Sequence, residues 1–335
     1  MHVMIPFAHC SSEGCALALR TLQLPHLQKL LSRLAPVPAE PSELCSLSAP
    51  HERALARALA LPLADGMIPW AALQARQTLA ADGAWGFITP CHWKIGSQHV
   101  VMSGSTLTDL SDPDSRALMS AMQPYFAEDG ITLHYQQPTR WLAQSDLFNN
   151  LATASLDRAA GHDVSLWLPT DSRARQLRRL QSEMQMLLYD HPVNESRSGR
   201  GLSVVNSFWL SGTGALPPAF KPAAGEAPRI ADSLREAALN EDWSAWGQVW
   251  EQLDATQCAA LLDALKQGDS VQLTLCGERA TQTFASDLSL RAKRGNPASW
   301  IATACGLAMT NSLNFKRSLV NLFTSPQVNR FLEPL

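Results

Sequence analysis

The chain is expected to be an α/β protein with a mainly parallel sheet flanked by helices. Three observations lead there. Its 335 residues are 46% hydrophobic and 17% charged, enough to build a large core and too apolar for disorder. Within residues 170–214, Leu177, Leu180, Met184, Leu187 and Leu188 recur at helical steps, which gives a long helix with one apolar face. Apolar runs at 164–168 and 204–210 bracket that helix, and strand, helix, strand is the order of a βαβ unit, which joins parallel strands.

From the N-terminus, Val3-Met4-Ile5-Pro6-Phe7 reads as a first core strand, and Leu22, Leu24, Leu27, Leu30 and Leu31 read as a helix. Pro36, Pro38 and Pro41 then interrupt the chain, so 36–49 is expected to be a linker. Residues 46–50 turn into a helix that begins near His51, and residues 70–79 form another. Residues 84–93 and 100–103 read as strands, with turns at Thr89-Pro90 and Gly96-Ser97. Residues 112–128 form a helix, and 131–135 and 140–142 are strand-like. Thr170, Asp171 or Ser172 caps the long helix, and Pro192 cannot continue it. The 204–210 run is partly β-branched and ends at Ser211-Gly212-Thr213-Gly214.

Residues 215–227, rich in Pro, Ala and Gly, form a second linker. Beyond it, Trp243, Trp246 and Trp250 mark one helical face, read as packing rather than as a ligand cage. Residues 271–275 and 280–284 flank Cys276-Gly277-Glu278-Arg279 as a hairpin, and 314–323 read as a closing helix. The organisation expected is one large α/β domain over 1–335 with internal linkers at 36–49 and 215–227. Residues 228–335 form a C-terminal part able to stand as a subdomain.

A net charge of −3 supplies no whole-protein field for nucleic acid or an anionic membrane, so nucleic acid is expected only indirectly, through a local patch. Seven cysteines, an odd number without a CxxC pair, point to reduced thiols and a cytoplasmic location. The N-terminus lacks a basic n-region and no apolar run approaches the ~20 residues of a membrane span, so neither secretion nor membrane insertion is expected.

His191-Pro192-Val193-Asn194, Arg197, Arg200-Gly201, Asn206-Ser207-Phe208-Trp209-Leu210, Gly212 and Gly214 together resemble a passage of the archaeal-type, cofactor-independent phosphoglycerate mutases, members of the alkaline phosphatase superfamily. Over most of its length, including the opening MHVMIPFA, SLSAPHERALARAL and AWGFITPCHW, the chain is more closely similar to bacterial RpfE-type regulatory proteins. The resemblance implies an alkaline-phosphatase-like sheet core. Enzymes of that superfamily use two divalent metals and a Ser or Thr nucleophile, because the metals activate the hydroxyl and hold the phosphoryl oxygens. The pattern is departed from twice. Ala8-His9-Cys10 follows the first strand where an Asp is expected, and no histidine lies beyond His191. No metal and no cofactor are therefore expected.

Ser46 and Ser48 stand ahead of a helix; Ser48 is a nucleophile-like position whose plainer role is a helix cap. His9-Cys10, Cys91-His92 and His51-Glu52 offer metal-binding atoms without the spacing of a zinc motif. Gly212-Thr213-Gly214 runs into Ala215-Leu216-Pro217-Pro218, which cannot open a dinucleotide-binding helix. The mid-chain passage is the candidate anion site. In a Gly- and Ser-containing loop, Arg197 and Arg200 are placed to hold a small phosphate or carboxylate by forked hydrogen bonds, with His191, Asn194 and Asn206 adding donors. The opposing reading has the asparagines tying down a loop and the arginines paired with nearby acids. Arg175, Arg178 and Arg179 form a solvated helix face, or the patch where an acidic partner or a nucleic-acid backbone docks. The expectation is a non-catalytic or regulatory binding protein. An active phosphomutase or phosphatase, and an adaptor for a nucleic-acid enzyme, are the alternatives.

Overall fold

The computed structural model describes residues 1–38, 45–96, 99–104, 107–171, 174–223 and 226–286. The expected closing helix at 314–323, Ser172 as a cap, Ser97 of the expected turn, Arg173 and Cys305 lie outside the described residues.

In chain order the first elements are β1 (His2–Ile5), α1 (Glu13–Thr21), α2 (Pro25–Leu31), β2 (Ala35–Pro36), α3 (Pro50–Ala58), α4 (Trp70–Leu79), β3 (Ala84–Cys91), β4 (Trp93–Ile95) and β5 (Val100–Met102). Next come α5 (Asp112–Glu128), β6 (Thr132–Gln137), β7 (Arg140–Gln144), α6 (Leu156–Ala159), α7 (Ala174–Tyr189), α8 (Pro192–Gly199) and β8 (Ser207–Ala215). The chain then continues through β9 (Arg229–Ile230), α9 (Arg235–Leu239), α10 (Trp243–Leu253), α11 (Ala259–Lys266), β10 (Gln272–Cys276) and β11 (Thr281–Ala285).

By its internal packing the chain divides into two compact units, Met1–Leu44 with Gly225–Leu335, and Cys45–Ala224. The physical reason is that each stretch closes its own sheets over its own apolar clusters.

The first unit carries a mixed sheet in the order β2-β11-β10-β1-β9. Parallel pairing is confined to β1 with β10 and β1 with β9; β10 with β11 and β11 with β2 are antiparallel. The mainly parallel sheet is thereby corrected to a mixed one, because a short turn at Gly277 and its neighbours can only return the chain antiparallel. Val3, Ile5, Leu273 and Leu275 face a core closed by Leu27, Leu30, Trp246, Trp250 and Leu261. Trp246 and Trp250 are fully buried and meet edge to face, so the tryptophan stripe is packing. The helix expected from Leu22 to Leu31 covers only Pro25–Leu31, since Leu22 is extended and Pro25 takes the first position of α2.

The second unit holds an antiparallel sheet, β6-β7-β3-β8, and the β4-β5 hairpin. No βαβ unit forms here. Val164–Leu166 is a single 3-10 turn, capped where Asp163 accepts the Ser165 N–H, and β8 pairs antiparallel with β3. Thr89-Pro90 lies inside β3 rather than in a turn. β7 pairs with β3 only as far as Ile88 while β8 continues to Cys91, so Pro90 sits where β3 has a partner on one side and its missing N–H is not needed. Leu177, Leu180, Met184 and Leu188 of α7 pack with Phe126 of α5 and Phe208 of β8.

Candidate functional site

The mid-chain passage is helical where a loop is expected. Pro192 cannot extend α7, but its fixed φ suits the first position of a new helix, and His191 accepts the Val193 N–H through Nδ1 to cap α8. Burial lowers the His191 pKa, favouring the neutral ring that this acceptor role requires.

Arg197, on the inward face of α8, has no solvent exposure. Its Nε donates to the Ser203 carbonyl (2.8 Å), and Nη2 reaches both carboxylate oxygens of Asp109 at 3.0 and 2.8 Å. The guanidinium thus holds a carboxylate, and that carboxylate belongs to the same chain. Asn194 donates to the carbonyls of Leu188 (2.8 Å) and Val205 (2.7 Å) and accepts the Val205 N–H at 2.9 Å. Asn206 accepts the Trp93 N–H (2.7 Å) and donates to the Trp93 carbonyl (2.8 Å), acting as a one-residue strand partner for β4. Arg200 stands apart on the surface, 3.9 Å from Asp114. His191, Asn194, Arg197 and Asn206 thus form a scaffold that ties α7, α8 and the start of β8 together, while Arg200 bonds only within α8, to the Ser196 carbonyl, and lies near Asp114.

Ser48 does not cap α3. Ala49 holds that position, and Glu52 reaches back to its N–H. Ser48 Oγ instead accepts the Gly66 N–H (2.9 Å), while Asp65 accepts from Ser46 Oγ and the N–H groups of Leu47 and Ser48. The hydroxyl is enclosed in a loop-to-loop clasp. Beside it, His51 Nε2 lies 3.2 Å from Asp157. The Glu52 carboxyl is enclosed, although part of the residue reaches solvent. Its pKa rises from 4.5 to about 7, first through burial and then through Asp157, against the opposing pull of His51, the Ala49 N–H and Arg158. The run His51-Glu52 is visible in sequence; Asp157, which is far away in the chain, is not.

On α7, Arg175, Arg178 and Arg179 are exposed. Arg178 donates to the Pro169 carbonyl, and Arg179 pairs with Asp129 and Glu183. Further along the same helix Met186 and Tyr189 are 81% and 82% exposed, among the large apolar side chains most open to solvent.

In the first unit, the carboxyl ends of the parallel pair β1 and β10 lie side by side, the edge at which open α/β sheets receive ligands. Phe7 turns the chain there with a φ of 55°, rare for a bulky side chain. Trp246 Nε1 donates to the Phe7 carbonyl (3.0 Å) and the Ala8 N–H to the Cys276 carbonyl (2.8 Å), which hold the turn. Glu278 accepts the Ser11 N–H (2.8 Å), its own N–H meets the His9 carbonyl, and Arg279 donates to Ser11 Oγ. Cys10 and Cys15 meet at the same edge, with the Cys10 N–H 3.3 Å from Cys15 Sγ and the Cys10 thiol hydrogen-bonded to it. That bond raises the Cys10 pKa, as does burial, and lowers that of Cys15. Among the described residues no group of three or more His, Cys, Asp and Glu is placed to hold a metal ion, and no helix is long and apolar enough to cross a membrane. Asp109 and the Cys10–Cys15 pair are the members that sequence reasoning missed; the spacing of the two cysteines across a strand end and a helix start was the available signal.

No family model matches the chain, and no curated protein matches it. Among solved structures, the cofactor-independent phosphoglycerate mutase from Thermoplasma acidophilum is 13% identical, over 85% of this chain and 89% of its own, with a TM-score of 0.33. The PH0037 protein from Pyrococcus horikoshii is 11% identical, over 85% of this chain and 89% of its own, with a TM-score of 0.38.

Proposed function

We propose that the chain is a regulatory binding protein, on a scaffold of phosphoglycerate-mutase type, that works by contact with a partner rather than by metal-dependent phosphoryl transfer. The observation that carries this reading is the closed carboxyl edge of β1 and β10. A two-metal site needs carboxylates and imidazoles aimed outward from such an edge. Here Ala8, His9 and Cys10 follow β1, and Glu278 accepts the Ser11 N–H. The surface offered to a partner is the outer face of α7, where Arg175 and Arg178 precede the exposed Met186 and Tyr189. A cationic stretch beside bare apolar side chains suits an acidic protein with an apolar patch.

The experiment has three arms on one preparation. After incubation with Mn and Zn, metal content by inductively coupled plasma mass spectrometry is expected to stay below stoichiometric, and p-nitrophenyl phosphate hydrolysis to match the blank. A stoichiometric metal pair with turnover would establish the phosphatase or phosphomutase alternative instead. In the second arm, Arg175→Ala, Arg178→Ala and Arg179→Ala together should change the set of captured proteins; an unchanged set removes α7 from the reading. The third arm concerns the mid-chain anion site, where a ligand would have to displace Asp109 from Arg197. A phosphorylated three-carbon acid is expected to leave Tm unchanged. Stabilisation that disappears when Arg197 and Arg200 are replaced by Ala would return an anion site to these residues.

A further inference from the structure

We infer that Cys10 and Cys15 are a dithiol site that closes reversibly to a disulfide by exchange with low-molecular-weight disulfides. The site stands on geometry. Cys10 lies in the loop leaving β1 and is half-buried; Cys15 lies in the first turn of α1 and is fully buried. One contact brings the two residues together: the Cys10 N–H reaches Cys15 Sγ at 3.3 Å. The Cys15 N–H in turn meets Ser12 Oγ at 3.2 Å, which fixes the turn that carries it. The loop between them is not free to drift, because the Phe7 carbonyl is held by Trp246, Ala8 by Cys276, and Ser11 by Glu278 and Arg279.

Exposure sets the order of events. Cys10, the less buried of the two residues, loses its proton and attacks one sulfur of the small disulfide. The S–S bond of the reagent breaks, and the first small thiol leaves with a proton. Cys15 Sγ, already in contact, then attacks Cys10 Sγ and displaces the second small thiol, which takes the remaining proton. Two protein thiols are oxidised by two electrons, and the reagent is reduced to two thiols. Donation from the Cys10 N–H and the N-terminal turn of α1 both favour a thiolate at Cys15 for the second step. Cys91, Cys258 and Cys276 are each buried away from the solvent that reaches Cys10. Closure would tie the first turn of α1 to the end of β1, next to the Ser11, Glu278 and Arg279 contacts.

The test uses the full chain and oxidised glutathione. Trypsin releases residues 1–20, ending at Arg20, as one peptide that contains Cys10 and Cys15 and no other cysteine. Wild type is expected to yield this peptide lighter by two hydrogens, and dithiothreitol should restore the original mass. Cys15→Ser should trap glutathione on Cys10, and Cys10→Ser should leave the peptide unmodified. Cys45→Ser, which removes an exposed cysteine outside the pair, should behave as wild type. An unchanged peptide from folded wild type, or a glutathione adduct that persists without closing, would overturn the inference. Since wild type alone decides between closure and none, a variant that fails to fold leaves the conclusion intact.

Discussion

Arg197 sits wholly out of water, a position that is tolerable only when the charge and its N–H groups are met on all sides. Asp109 and the Ser203 carbonyl do so, and the residue thereby becomes an anchor for the end of α8. Glu52 shows the opposite case, a carboxyl whose environment favours the proton. Its pKa rises from 4.5 to about 7, so between those values the folded chain holds a proton that the unfolded chain releases. The unfolded state then binds fewer protons, and stability falls as pH rises. The contribution is fully present below 4.5 and is lost on reaching about 7. At roughly 1.4 kcal/mol per unit the loss is about 3 kcal/mol. Glu52→Gln keeps an acceptor for the Ala49 N–H without a titrating proton. Urea midpoints between pH 5 and 8 should decline for wild type relative to this variant; parallel curves would show that the Glu52 proton is not held by the fold.

Among the elements, α2 depends on a cap that its own sequence does not carry. Pro25 occupies its first position, and Leu24 ahead of it offers no side-chain acceptor. The acceptor is Asp254, almost fully buried, whose carboxylate takes the N–H groups of His26 (3.1 Å) and Leu27 (2.7 Å) and the His26 ring at 2.8 Å. A π-turn at Asp254–Cys258, between α10 and α11, positions it. Asp254→Ala should destabilise the protein by about 2 kcal/mol through orphaned helix donors, and Asp254→Asn by less, read as a fall in Tm. Equal Tm values for Ala and wild type would mean that α2 finds other acceptors. The contact of α1 with α10 is equally exacting. A Cβ on Gly14 would lie 2.3 Å from the Trp243 ring, which accounts for a glycine inside a helix despite its poor propensity.

At the scale of the whole molecule, the second unit is a continuous segment with its own sheets and apolar clusters, lying between the two stretches that build the first. We predict that residues 45–224 fold on their own, with a single cooperative thermal transition followed by circular dichroism. A fragment with a random-coil spectrum would show that its core needs the rest of the chain.

How much of this was legible follows the range of the forces. The helices at 70–79 and 112–128 were read to the residue, because helical signals act within a few positions. The β10-β11 hairpin was read with each strand one residue early. The amino-acid order by itself determined where periodicity changes, that Pro192 cannot continue α7, and that Trp246 and Trp250 face inward. The tertiary structure alone decided that the sheets are mixed and antiparallel rather than mainly parallel, that Pro90 stays within a strand, and that Arg197 already holds a carboxylate. Strand partners and buried ion partners are chosen by what lies opposite in space. Asp109 is 88 residues from Arg197 and Asp254 is 227 from Leu27, distances over which no local pattern records a contact.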